Sequence, residues 1–187
     1  MPVTTLDPRP ALIVIDLQQA LLAGDPPLPI LDVVHNARAL AGAFRQRGLP
    51  VVLVKVNGTP PGRTDANPTG AQRSTGWTDV LTELDAQPTD HLVTKQRWSA
   101  FAGTDLDAHL RALGVTQVVL AGVATSLGVE STARHALDAG YHVTFATDAM
   151  LDRTPDAHRH AITQLFPLIG ETGPTQDILT LLNGVSA

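Results

Sequence analysis

Five short runs of nearly uninterrupted apolar residues recur along this chain: ALIVID (11–16), PVVLVKV (50–56), HLVTK (91–95), QVVLAGV (117–123) and HVTFATDA (142–149). A strand with one face in water alternates apolar and polar residues. These runs do not, and they are rich in β-branched side chains, so they read as strands covered on both faces, hence a parallel sheet. Between them, ILDVVHNARALAGAFRQRG (30–48), GTDLDAHLRALG (103–114), ESTARHALDAG (130–140) and TPDAHRHAITQLFPLI (154–169) place apolar residues three and four apart. That spacing predicts helices, and three of the four segments end at Gly, the residue that most easily takes a helix C-terminal left-handed position. Strand and helix in alternation predict a three-layer α/β/α sandwich with right-handed crossovers.

With 187 residues, 43% of them hydrophobic and 17% charged, the chain can bury a sizeable core, and a single domain over residues 1–187 is expected. No internal repeat or composition shift divides it. The segment NGTPPGRTDANPTGAQRSTGW (57–77) interrupts the rhythm, as a lid or binding loop or as a solvated excursion. A net charge of −5, with Lys and Arg scattered, offers no footprint for nucleic acid or an anionic membrane, which leaves a small-molecule partner. No apolar run approaches the roughly 20 residues needed to span a bilayer, and no secretory leader is evident, so a cytoplasmic location is expected. The absence of cysteine excludes disulfides, thiolate metal sites and any thiol nucleophile.

In an open parallel sheet, ligands bind outside the carboxyl ends of the strands. The first run ends in Asp16, the third in Lys95, and the fourth leads into the turn GVATSLG. Asp16 alone reads equally as a helix cap, Lys95 alone as a solvated strand end, and Gly128 alone as a backbone convenience at a helix start. An acid, a base and a helix N-terminus at one sheet edge form a more specific set.

IVIDLQ, KQRWSAF and GVATSLGVESTARHALDAGYHVTFATDAM resemble the isochorismatase-like hydrolases, a superfamily that includes nicotinamidases, carbamoylsarcosine and ureidoacrylate amidohydrolases, and isochorismatases. The resemblance runs from about Leu12 through the final helix. It implies a mainly parallel six-stranded sheet in Rossmann-like order, and a triad of Asp, Lys and Cys at the three strand ends. Asp16 and Lys95 take the first two roles, and the Cys position falls on Gly128. It also implies a cis peptide between Val123 and Ala124, with the amides of Ala124 and Gly128 as oxyanion donors. Ala124, Thr125, Trp98, Phe101 and Gln18 are the implied substrate-binding residues, with Asp16, Lys95 and Gly128 catalytic. Isochorismatases also carry glycine at the nucleophile position and use the Asp as a general acid on a vinyl ether carbon. Their turn, however, has an aromatic residue and a His where this chain has Ala124, Thr125 and Ser126. The present turn is similar to the amidohydrolase version with the thiol deleted, as in a cysteine-less bacterial branch of the superfamily.

The expectation is therefore a hydrolase of a small molecule that uses an Asp/Lys pair and a backbone oxyanion pocket. The alternatives are a vinyl ether hydrolase and a catalytically silent binding or scaffold homologue. Ser126 could serve as a nucleophile, but the sequence places no His beside it as a base. Nicotinamidases bind a metal through an Asp and His cluster after the second strand; residues 57–90 here contain no His, and His158 and His160 read as members of a solvated helix. No catalytic metal and no nucleotide cofactor are expected, since no phosphate-cradling loop is present. The superfamily implies a homo-oligomer, a dimer or tetramer.

Overall fold

In the computed structural model, which describes residues 2–22, 29–65 and 76–184, the first apolar run forms β1 (Pro10–Ile15), buried along its whole length. It is hydrogen-bonded in parallel on both sides: Leu12 lies opposite Val51 of β2 (Val51–Val56) and opposite Val119 of β4 (Gln117–Val123). A strand so flanked has no water on either face or edge, which is why its sequence lacks alternation. β3 (His91–Lys95) pairs beyond β2, and β5 (His142–Leu151) and β6 (Glu171–Gly173) pair beyond β4, all in parallel. The order is β3-β2-β1-β4-β5-β6, the doubly wound α/β arrangement expected.

Successive β1 side chains enter different cores. Ala11, Ile13 and Ile15 join Leu106 and Leu110 of α2 (Leu106–Ala112) and Ala133 and Ala136 of α3 (Glu130–Asp138). Leu12 and Val14 join Val33, Leu40 and Phe44 of α1 (Ile30–Gln46) and Ile178 and Leu182 of α5 (Thr175–Gly184). Each such Leu, Ile or Val contributes roughly 1.5–3 kcal/mol when fully buried, and helices cover both faces of the sheet. Arg45 of α1 adds a paired fork to Asp90, donating from Nε at 3.0 Å and Nη2 at 2.7 Å, which ties α1 to the loop entering β3.

At Gly122 the end of β4 packs directly against the end of β1. This glycine adopts φ +113, and a Cβ there would stand 2.0 Å from the Ile15 carbonyl oxygen, so only glycine lets these two strand ends converge.

Two predicted bounds need correction, and one strand was not among the predicted runs. β5 runs to Leu151 rather than stopping at 149, because its pairing shifts between Leu120↔Phe145 and Gly122↔Met150, so β5 takes five steps where β4 takes two. The predicted 154–169 helix is regular only in α4 (Pro155–His160); a wide turn (Ala161–Leu165) and a tight one (Phe166–Leu168) follow, and Pro167 has no N–H to continue the ladder. β6 was not among the five apolar runs, since three residues carry no periodicity. Within the 57–77 segment, residues 66–75 lie outside the described residues. No helix among the described residues is long and apolar enough to cross a membrane.

Candidate active site

The strand order reverses between β1 and β4, and at such a switch point the loops leave in opposite directions and open a crevice at the carboxyl edge. Asp16, the residue after β1, has φ 54, a left-handed conformation that Asp tolerates better than most residues and that recurs at functional sites. Lys95 ends β3, two strands away, and its long stem crosses β2 to reach the crevice. Its Nζ lies 2.8 Å from Asp16 Oδ2, with side-chain exposures of 2% for Lys95 and 14% for Asp16. The ammonium also donates to the Trp98 carbonyl oxygen at 2.9 Å. The other Asp16 oxygen, Oδ1, is buried without a hydrogen-bond partner. Burial pushes the Asp16 carboxyl up to about 6, against the opposing charge and hydrogen bond of Lys95.

After β4 the chain turns through Ala124 to Gly128 into α3. The Val123–Ala124 peptide is cis. The Ala124 carbonyl accepts the amides of Leu127 (3.1 Å) and Val129 (3.2 Å), the latter closing a wide turn. The Ser126 amide donates to Asp152 Oδ2 at 2.6 Å, and the Glu130 amide to the Leu127 and Thr125 carbonyls.

Gly128 faces the acid. A Cβ there would lie 3.4 Å from Asp16 Oδ2, 3.2 Å from Ile15 Cγ2 and 3.1 Å from the Val123 carbonyl oxygen. The last two distances are tighter than ordinary contact and one partner is backbone, so a side chain here requires its neighbours to give by a few tenths of an ångström. Gly128→Ala is expected to lower the unfolding free energy by about 1–3 kcal/mol, read from urea denaturation; a variant as stable as the parent would contradict this fit.

A cavity of about 520 Å³ opens over these groups, lined by Asp16, Lys95, Gly128 and Ala124 together with Gln18 and Trp98. Gly58, Thr59, Pro60 and Trp77 bring both described ends of the long loop to its wall. Gln18 is 3% exposed and its amide group spans the end of β2, accepting the Val56 amide at 2.8 Å and donating to the Val56 carbonyl at 3.2 Å. It therefore shapes the wall with its polar atoms already engaged. Trp98 is 52% exposed at the rim.

Two of the expected substrate-binding residues lie outside the wall of this cavity. Phe101 belongs to the core, stacked on His135 with 5.2 Å between ring centroids and tilted against Tyr141. Thr125 is fully buried, its hydroxyl 2.8 Å from His158 Nδ1. Neither lines the cavity. His158 is corrected: it is half-buried against the turn rather than part of a solvated helix face. Asp152 and Arg153, which also line the cavity, lie past the end of β5, which the apolar run placed at 149, two residues short of Leu151. Among the described residues, no three His, Cys, Asp or Glu side chains gather where a metal could be held.

Residues 10–177 match the isochorismatase domain. The chain belongs to the isochorismatase family. It is 36% identical over 179 residues to the isochorismatase family protein YwoC of Bacillus subtilis, covering 91% of this chain and 93% of that one. It is 31% identical over 164 residues to nicotinamidase 3 of Arabidopsis thaliana, covering 83% of this chain and 79% of that one. Among solved structures, an isochorismatase family protein from Burkholderia thailandensis superposes with a TM-score of 0.89 at 39% identity, over 96% of this chain and 98% of that one. The family's three-layer fold is thus this chain's fold.

Proposed function

We propose that this isochorismatase-family chain hydrolyses a small molecule with water as the nucleophile, using Asp16 as proton carrier, Lys95 as its fixed cationic neighbour, and the amides of Ala124 and Gly128 as oxyanion donors. The observation that carries the reading is the buried Asp16–Lys95 pair, 2.8 Å apart, beside a glycine whose missing side chain would begin 3.4 Å from the carboxylate. Where the family resemblance implies a thiol, Gly128 supplies no sulfur, and a Cβ there would meet its neighbours at 3.1, 3.2 and 3.4 Å. The attacking atom must then come from solvent. In an amide substrate, Asp16 takes the proton of the attacking water as the new C–O bond forms. It returns that proton to the leaving nitrogen as the C–N bond breaks. Lys95 keeps the carboxylate charged long enough to act as a base, and backbone N–H groups stabilise the oxyanion. The likeness to a nicotinamidase supports a C–N bond as the one cleaved.

A second reading rests on the same acid. A carboxyl that holds its proton up to about pH 6 suits protonation of a vinyl ether carbon, with water adding to the resulting cation. The direction of the acidic limb separates the two. If Asp16 acts as a base, kcat/KM rises with pH through about 6; if it acts as a vinyl ether acid, kcat/KM falls above about 6. The assay uses a panel of amides, esters and vinyl ethers, with pyruvate release from isochorismate as the vinyl ether arm. Turnover of isochorismate alone, with a falling limb, would replace the first reading by the second. A pH profile flat from 4 to 8 would remove Asp16 from both.

A further inference from the structure

Two groups outside the Ala124–Gly128 turn hold it from adjacent residues. Asp152, one residue past β5, accepts the Ser126 amide at Oδ2 (2.6 Å), while its Oδ1 accepts the Arg153 amide (2.7 Å). His158, in α4, meets the Thr125 hydroxyl at Nδ1, 2.8 Å away, in a contact closed off from solvent on the Thr125 side. Burial holds His158 below the usual histidine range, against the opposing charge of Asp152. In the neutral tautomer with its proton on Nε2, Nδ1 accepts a hydrogen bond from the Thr125 hydroxyl.

One anchor grips a main-chain amide and the other a side chain, at consecutive residues and from two different elements. A turn held at both points cannot rotate as a unit. We infer that Asp152 and His158 are positioning residues, which together clamp the turn and set the direction in which the Ala124 and Gly128 amides face the crevice. The inference rests on the proposed reading of those amides as oxyanion donors. Such donors help only when aimed at the place where charge develops, and small misplacements weaken them steeply. This also gives Thr125 its duty: it is a handle on the turn, not a substrate contact.

The test exploits side-chain geometry. His158→Asn keeps a polar atom where Nδ1 sits, whereas His158→Gln moves it to the place of Nε2; Thr125→Val removes the hydroxyl at nearly constant volume. Amide hydrogen exchange in the whole chain is followed by NMR. Exchange at Ser126, Leu127 and Val129 is expected to accelerate about tenfold in His158→Gln and Thr125→Val, and to return to within about twofold of the parent in His158→Asn. Unchanged exchange in His158→Gln, or equal acceleration in the Asn and Gln variants, overturns the clamp. A second arm measures hydrolysis of whichever panel compound is turned over. There kcat falls about tenfold in His158→Gln with KM within about twofold, and His158→Asn restores it. Accelerated exchange with unchanged kcat also overturns the positioning role. If no panel compound is turned over, the exchange arm decides. Asp16→Asn separates the clamp from the reading beneath it. Full activity in that variant removes the proposed site and leaves the exchange result standing; an inactive Asp16→Asn beside a fully active His158→Gln removes the clamp alone.

Discussion

Asp16→Asn is expected to lower kcat/KM by about 10²–10⁴-fold, the range a positioned proton carrier contributes, while the far-ultraviolet circular dichroism spectrum stays that of the parent. The amide of asparagine has nearly the shape of the carboxylate and can still accept a hydrogen bond from Lys95 Nζ, which now sits 2.8 Å from Asp16 Oδ2. It cannot take a proton from water or return one to a leaving group. Packing around β1 is untouched, because the core contributed by this strand ends at Ile15. The loss should therefore appear in kcat with little change in KM. A variant with full activity on the same substrate would contradict the role given to Asp16 under either reading of the reaction.

Lys95→Met should be the most destabilising change at the site, and its effect should depend on pH. Methionine replaces the stem of the lysine but not its charge, and removing one partner of a buried ion pair costs about 3–5 kcal/mol when the other stays ionised. Asp16 already has one oxygen without a donor, so the variant would hold a carboxylate with neither oxygen satisfied by a cation. The sign follows from the displaced acid. Asp16 in the folded chain titrates near 6 instead of the usual 3.8, so the native state binds its proton more tightly than the unfolded state does. Native stability is fully kept below about 3.8 and is lost as pH rises from there to about 6, with no further change above. Lys95 is what pulls that carboxyl down; without it the loss extends to higher pH and grows larger. Urea denaturation should find Lys95→Met less stable than the parent by about 3 kcal/mol at pH 8, with the gap closing towards pH 5 as Asp16 becomes neutral. A gap independent of pH would contradict the pairing.

The proposed clamp and the placement of Thr125 and Phe101 show where local sequence stops being informative. Thr125 and Phe101 sit in the motifs that carry the family resemblance, yet one turns away from the crevice to His158 and the other enters the core against His135. Neighbours in sequence on a tight turn point in different directions, and which one faces a cavity depends on the elements packed behind them. Asp152 could have been noticed as a carboxylate closing the DAMLD stretch. It lies past a register shift in β5 that leaves no periodic trace.

The sequence by itself determined the layered parallel fold, because strands without a wet face must be covered on both sides. It also determined the family, through the three motifs at the ends of the first, third and fourth strands. Only the tertiary structure decided that Lys95 crosses β2 to meet Asp16, that Gly128 is closely packed against Ile15 and Val123, and that Asp152 and His158 bond to the turn after β4. The physical reason is the range of the interactions. Strand burial and turn chemistry act over a few residues, whereas strand register, close packing and buried charge pairs join residues far apart in the chain.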